Sequence, residues 1–294
     1  MEKTLVILIG NARGGEKTWH TMYEHLLKPF NADLALCFGY KENKTESLYE
    51  KAKYIWELPE YEEWADFYVE NFGEHGIWKP VFEAGKEIGF SGLYGSRGSS
   101  AITFAFRHWL LKNKKDILTQ YDRLVVTRSD HFYDRDHPLL DNNYFWVPEG
   151  EGYGGLCDRH HVFPSSDVDI VFGIVEKYVN TPQIVEDFWH REKKYNDEIG
   201  SYKLHLNIEQ VFMKYFTNNG YFDKIRECER VQFTVKTAED TTRWWNGDGS
   251  KVPGHPDLYQ KYGHECVIAL KHVENYTVSM PNVDENGNRL MRVI

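Results

Sequence analysis

The stretch Tyr121 to Tyr133, YDRLVVTRSDHFY, decides the fold. Leu124, Val125 and Val126 form a short apolar run bounded by polar residues, the pattern of a central strand buried on both faces. The run leads straight into Arg128-Ser129-Asp130-His131. An open α/β sheet places its ligands just past the carboxyl ends of its strands, where these polar residues fall. Carboxylate oxygens suit a hard divalent cation, and such a cation holds a diphosphate. Asp130 is therefore read as a ligand to Mn2+ or Mg2+, with Arg128 and Ser129 beside the bound phosphates.

Upstream, Thr4 to Ile9 is a continuous apolar run ending in Gly10, a first buried strand. Gly10-Asn11-Ala12-Arg13-Gly14-Gly15 is a tight loop. Trp19, Met22, Tyr23, Leu26 and Leu27 then share one helix face, and Pro29 ends that helix. Asp33 to Phe38 is a second strand, so the opening is a βαβ unit with a parallel sheet. The loop resembles a phosphate-binding P-loop but carries Glu16 where that pattern wants Lys. We read Gly10 and Asn11 as allowing close approach of a nucleotide and Arg13 as a phosphate partner. A plain strand-to-helix turn fits the same residues equally well.

Farther along, Leu48, Ala52 and Ile55 suggest a short helix, and Glu57 to Phe90 reads as helical pieces and loops. Arg97, in Gly95-Ser96-Arg97-Gly98-Ser99, precedes a helix with Ile102, Phe106, Trp109 and Leu110 on one face and lysines at its end. Tyr144 to Pro148 reads as a strand, Glu149 to Gly155 as a glycine-rich turn, and Cys157 to Phe163 as strand-like. Val171, Ile174, Val175 and Tyr178 mark the next helix, and Ile208, Val211, Phe212, Tyr215 and Phe216 another, with Glu209 in its first turn and Gly220 at its end. Arg230 to Thr237 alternates as a strand. Thr241 to Gly263 reads as a long loop carrying Trp244 and Trp245, and Cys266 to Leu270 as a last strand. The fold class is α/β: a single domain with a mixed, mainly parallel sheet flanked by helices. Residues 1–237 form its core, and 238–294 an extension packed on the same domain.

The chain has 294 residues, enough for a sizeable core. Aromatics make up 15%, with nine Trp and nineteen Tyr, so some of them are expected to face a flat or ring-shaped ligand. A formal net charge of −10 argues against nucleic acid as a partner. The cysteines, Cys37, Cys157, Cys228 and Cys266, show no CxxC spacing and read as reduced thiols. No signal peptide and no bilayer-spanning run is apparent, and the expected location is the cytoplasm, that of the host if the source is viral.

At YDRLVVTRSD the chain resembles nucleotide-sugar glycosyltransferases of the GT-A fold, especially the small enzymes encoded by large DNA viruses of green algae. The resemblance runs from Leu5 to about Val235 and takes in Tyr153-Gly154-Gly155-Leu156-Cys157-Asp158-Arg159. It implies a GT-A-like (Rossmann-like) sheet, a UDP-sugar donor such as UDP-xylose, UDP-rhamnose, UDP-glucose or UDP-galactose, a glycan acceptor and an inverting, metal-assisted transfer. The family's DxD corresponds to Arg128-Ser129-Asp130, which keeps only the second acid. The resemblance further implies Glu209 as the base that takes the acceptor proton. Asp158 is the rival base, or a ligand of sugar hydroxyls. His272, or His264, is a candidate second metal ligand, and Trp244 and Trp245 are candidate platforms for the acceptor sugar. Arg97 counts with the donor-binding residues.

Other classes compete with this reading. Residues 10–18 loosely resemble the phosphate loop of a sulfotransferase or a P-loop phosphotransferase, and the incomplete DxD also suits a non-catalytic sugar-binding protein.

Overall fold

The computed structural model describes residues 2–42, 44–84, 92–95, 98–150, 152–187, 208–238, 240, 250–271, 278, 280 and 281. The chain opens with β1 (Thr4–Gly10), α1 (Gly15–Met22), a π turn over Tyr23–Leu27, α2 (Lys28–Phe30) and β2 (Asp33–Gly39). Next come α3 (Ser47–Lys51), β3 (Tyr54–Leu58), α4 (Ala65–Phe72), α5 (Trp78–Ala84) and α6 (Ser100–Leu118). The middle holds β4 (Arg123–Thr127), β5 (His131–Tyr133), β6 (Phe145–Pro148), β7 (His161–Pro164) and α7 (Val168–Val171). The last described elements are α8 (Ile208–Asn218), β8 (Ile225–Cys228), β9 (Gln232–Lys236), β10 (Lys251–Val252), β11 (His255–Gln260) and α9 (Gly263–Leu270).

A 7-stranded sheet runs β3-β2-β1-β4-β7-β6-β8. β7 is antiparallel to both of its neighbours, and every other pairing in this sheet is parallel. The fold class read from the sequence, α/β with a mixed and mainly parallel sheet flanked by helices, is the one observed. The apolar runs arise because both faces are covered. Leu5 and Ile7 of β1, with Leu124 and Val126 of β4, enter the core under α6 and α8. Val6, Leu8 and Val125 enter the core under α1. Strands buried on both sides read as unbroken hydrophobic stretches.

A second, 4-stranded sheet, β10-β11-β9-β5, packs beside the first. Its pairings are antiparallel, and its apolar side carries Phe132, Phe233, Val235 and Leu258, against which Cys266 of α9 packs. The chain passes from the large sheet to the small one at Arg128–Asp130, between β4 and β5.

Three expectations change. Ile55 belongs to β3, not to the helix holding Leu48, because the predicted spacing bridged a helix and a strand. Within the expected loop 241–263, residues 251–260 form the hairpin β10–β11, an edge with little buried surface and hence little alternation to read. Cys266–Leu270 is helical: a short apolar run does not distinguish a strand from a buried helix turn, and here Glu265, Cys266 and Ala269 share the buried face of α9.

Candidate active site

The glycine loop and the tip of β4 are pressed together. A Cβ on Gly14 would lie 3.0 Å from the Cα of Asp130 and 3.2 Å from the carbonyl oxygen of Ser129, and Gly14 also has a positive φ of 83°. Ser129 joins the two segments, accepting from Arg13 N at 3.0 Å and donating to Asn11 O at 2.7 Å. Asp130 is held from the small sheet as well, since its carbonyl accepts from Val235 N at 2.9 Å.

Beside this junction opens a cleft of about 160 Å³. Ile9, Trp64, Ile102 and Phe106 contribute its apolar lining, and Arg13, Arg128 and Arg159 its cationic lining. Trp64 stacks on Phe106 with centroids 5.8 Å apart. Glu60 and Asp158 add carboxylates, and Gly10, Asn11, Ser129 and Asp130 complete the part of the lining read from the sequence. Lys17 and Thr18, which a P-loop reading needs, are not in it. Lys17 pairs with Asp257, Thr18 is buried, and Glu16 accepts from Ser47.

Asp130 and Arg128 form a two-pronged pair. Arg128 Nε donates to Oδ1 and Nη2 to Oδ2, both at 2.7 Å. Burial opposes the charge on Asp130, yet the adjacent guanidinium holds its carboxyl well below the ordinary carboxylate range. Burial likewise opposes the charge on Arg128, and Asp130 more than compensates. Burial and then Arg128 depress the pKa of Arg13, and the same two causes depress Lys261, so these cations lie close enough to repel one another.

A second constellation centres on Arg159. Its Nη1 donates to Glu209 Oε1 at 3.1 Å and to Asp158 Oδ1 at 3.3 Å, while its Nη2 reaches Glu265 Oε1 at 2.8 Å. Glu265 also pairs with Arg230 at 3.2 Å and accepts from Thr234 Oγ1 at 2.8 Å. Burial acts against ionised Glu265, but Arg159 and Arg230 bring its carboxyl down to about 2. Glu209 behaves in the opposite way. Burial and neighbouring Asp158 raise its carboxyl, with Arg159 opposing.

The glycine pair explains why these groups meet. A Cβ on Gly155 would fall 2.0 Å from the carbonyl oxygen of Glu209, which accepts from Leu156 N at 3.0 Å. The loop thus lies directly on the first turn of α8. Behind it, buried Arg107 donates through Nη2 to Asp158 O at 3.0 Å, and His161 Nε2 lies 2.5 Å from Cys157 O.

Of the residues singled out in the sequence, Gly10, Asn11, Arg13, Arg128, Ser129, Asp130 and Asp158 share the cleft. Glu209 stands outside the lining, one residue behind it through Arg159. Arg97, Trp244, Trp245 and His272 lie outside the described residues; His264 is exposed. Sequence reading missed Glu60, Trp64 and Glu265. Glu60 and Trp64 follow β3, the strand read as part of a helix. Glu265 is an acid in the first turn of α9, directly ahead of the residues 266–270 read as a strand.

At Asp130 the donor set does not fit a divalent cation. Both Asp130 oxygens face Arg128, Ser129 Oγ is engaged by Asn11 and Arg13, and Asp158 Oδ1 faces Arg159. Among the described residues no group of three or more His, Cys, Asp or Glu side chains is placed to hold a metal. Nor, among them, is any helix long and apolar enough to cross a membrane.

No protein-family model and no curated protein sequence matches the chain. Among solved structures it is similar to mouse xyloside xylosyltransferase 1 in its apo form, at 11% identity and a TM-score of 0.41, over 96% of this chain and 98% of that one. A likeness of that degree assigns neither an activity nor a substrate to this chain.

Proposed function

We propose that the protein is a glycosyltransferase that uses a nucleoside-diphosphate sugar, as the GT-A resemblance of its sequence implies. One observation carries the reading: a single cleft joins an aromatic lining, an arginine lining and a carboxylate at the tip of the central strand. Trp64 and Phe106 suit a nucleoside base, and Arg13 and Arg128 suit a diphosphate. Glu60, whose carboxylate lies over Gly39, suits ribose hydroxyls. The donor is a UDP-sugar and the acceptor a glycan hydroxyl.

In the proposed step the acceptor oxygen attacks the anomeric carbon as the bond from that carbon to the phosphate oxygen breaks. The bonding electrons leave on the nucleoside diphosphate, and the acceptor proton passes to Asp158, giving inversion. Asp158 takes this role ahead of Glu209 because it lines the cleft, whereas Glu209 stands behind Arg159 and outside the lining. Glu209 and Arg107 act as positioning residues.

The test is release of UDP from UDP-glucose, UDP-xylose and UDP-rhamnose in the presence of glycan acceptors. Turnover with one donor is expected, and Asp158→Asn should lower it by about 10²–10⁴-fold. A melting-temperature rise with adenosine phosphosulfate or ATP but with no UDP compound would place the chain in another transferase class. Binding of UDP-sugar without turnover would make it a binding protein.

A further inference from the structure

Building on the nucleotide-sugar reading, we infer that the donor diphosphate is held by protein cations, Arg13 and Arg128, and that binding requires no divalent metal. Asp130 then serves as a positioning residue that aims Arg128.

The geometry of the pair is the first argument. A carboxylate that ligates a metal must offer an oxygen lone pair to the cation. Asp130 instead gives both oxygens to Arg128 at 2.7 Å, the separation of strong charge-assisted hydrogen bonds. A hard cation at Asp130 would have to displace that guanidinium or lie against its positive charge. The pair is also deeply placed, with the Asp130 side chain 2% exposed and that of Arg128 22%.

The second argument is what the arginines leave unused. The fork uses Nε and Nη2 of Arg128, and its Nη1 has no hydrogen-bond partner among the described residues. The same holds for the whole guanidinium of Arg13, whose backbone alone is engaged. Both side chains line the cleft. Gly14, with no room for a Cβ against Asp130, keeps the two arginines at the same end of it. Like charges crowded there are relieved by a ligand of high negative charge. Planar N–H forks match the paired oxygens of phosphates, and the cleft's aromatic lining takes the nucleoside.

Calorimetric titration of the full chain with UDP, pyrophosphate and uridine, each in EDTA and in Mn2+, tests the inference. UDP and pyrophosphate are expected to bind in EDTA, with Kd changing less than about threefold on adding Mn2+ and uridine at least about tenfold weaker than UDP. Arg13→Ala, which removes no partner of another described side chain, should weaken UDP by about tenfold. Asp130→Asn keeps the Arg128 charge but takes one of the two acceptors from its fork, so UDP binding should weaken by about threefold to tenfold, equally in EDTA and in Mn2+. UDP binding that tightens more than about tenfold with Mn2+, and loses this gain in Asp130→Asn, overturns the inference while leaving the nucleotide-sugar reading intact. If Asp130→Asn does not fold, wild-type affinity of Arg13→Ala for UDP in EDTA overturns it equally. Absence of UDP binding in both buffers removes both the inference and that reading.

Discussion

Arg128 and Arg159 both line one cleft, and the protein uses them differently. Arg128 meets the single carboxylate of Asp130 and keeps Nη1 for whatever enters. Arg159 is enclosed by Asp158, Glu209 and Glu265, and its guanidinium lies over the ring of Tyr262 at 4.9 Å. One arginine is aimed at the cleft, while the other locks the loop 152–159, α8 and α9 together. Lining a pocket is therefore a weaker criterion for ligand binding than the number of acids already facing a cation.

Acidification should blur this contrast most. His131 is buried, and the charges of both pairs act on it: Glu265 and Asp130 favour its protonation, Arg128 and Arg159 oppose it. Burial lowers its pKa from 6.5 to about 3 and that of His137 to about 4; His160 and His161 are lowered well below 6.5 as well. Unfolded histidines take up protons as pH falls below the ordinary value while the folded ones stay neutral. The unfolded state then binds more protons, so stability is unaffected above about pH 6.5 and declines from there toward about pH 4. Each histidine held neutral adds to that loss. Urea unfolding at about pH 7 and about pH 5 measures it, and equal midpoints would show that these histidines are not held neutral.

Glu265→Gln is the next largest effect. It leaves Arg159 and Arg230 facing a neutral amide in a fully buried site and should cost about 3–5 kcal/mol of stability. Asp130→Asn should cost less, about 1.5–3 kcal/mol, because Arg128 borders the open cleft and keeps access to water. Denaturant midpoints of the two variants compare the sites directly. Equal losses would mean that Arg128 is as fully committed to the protein as Arg159.

Much of the cationic lining was legible in the sequence. Arg13, Arg128, Ser129 and Asp130 follow apolar runs whose burial on both faces leaves a plain signature, and a strand's end locates its ligands. The lock around Arg159 was legible only in its near half. Asp158 and Arg159 adjoin a glycine pair, but their partner Glu265 is 106 residues away, in a segment whose few apolar residues fit strand and helix alike. No local pattern reports that pairing. Glu60 and Trp64 escaped for another reason: β3 is a sheet edge, with exposure that breaks the apolar signature, so the residues after it were not read as the end of a strand.

The switch of sheets at Arg128–Asp130 has a consequence for biosynthesis. A nascent chain halted after Cys228 already contains every strand of the large sheet, yet lacks β9, whose Val235 clamps the Asp130 carbonyl, and α9, whose Glu265 anchors Arg159. Synthesis of the frame thus precedes synthesis of the parts that set the arginines' aim, and the ribosome delivers the cleft's final fastenings among the last described elements of the chain.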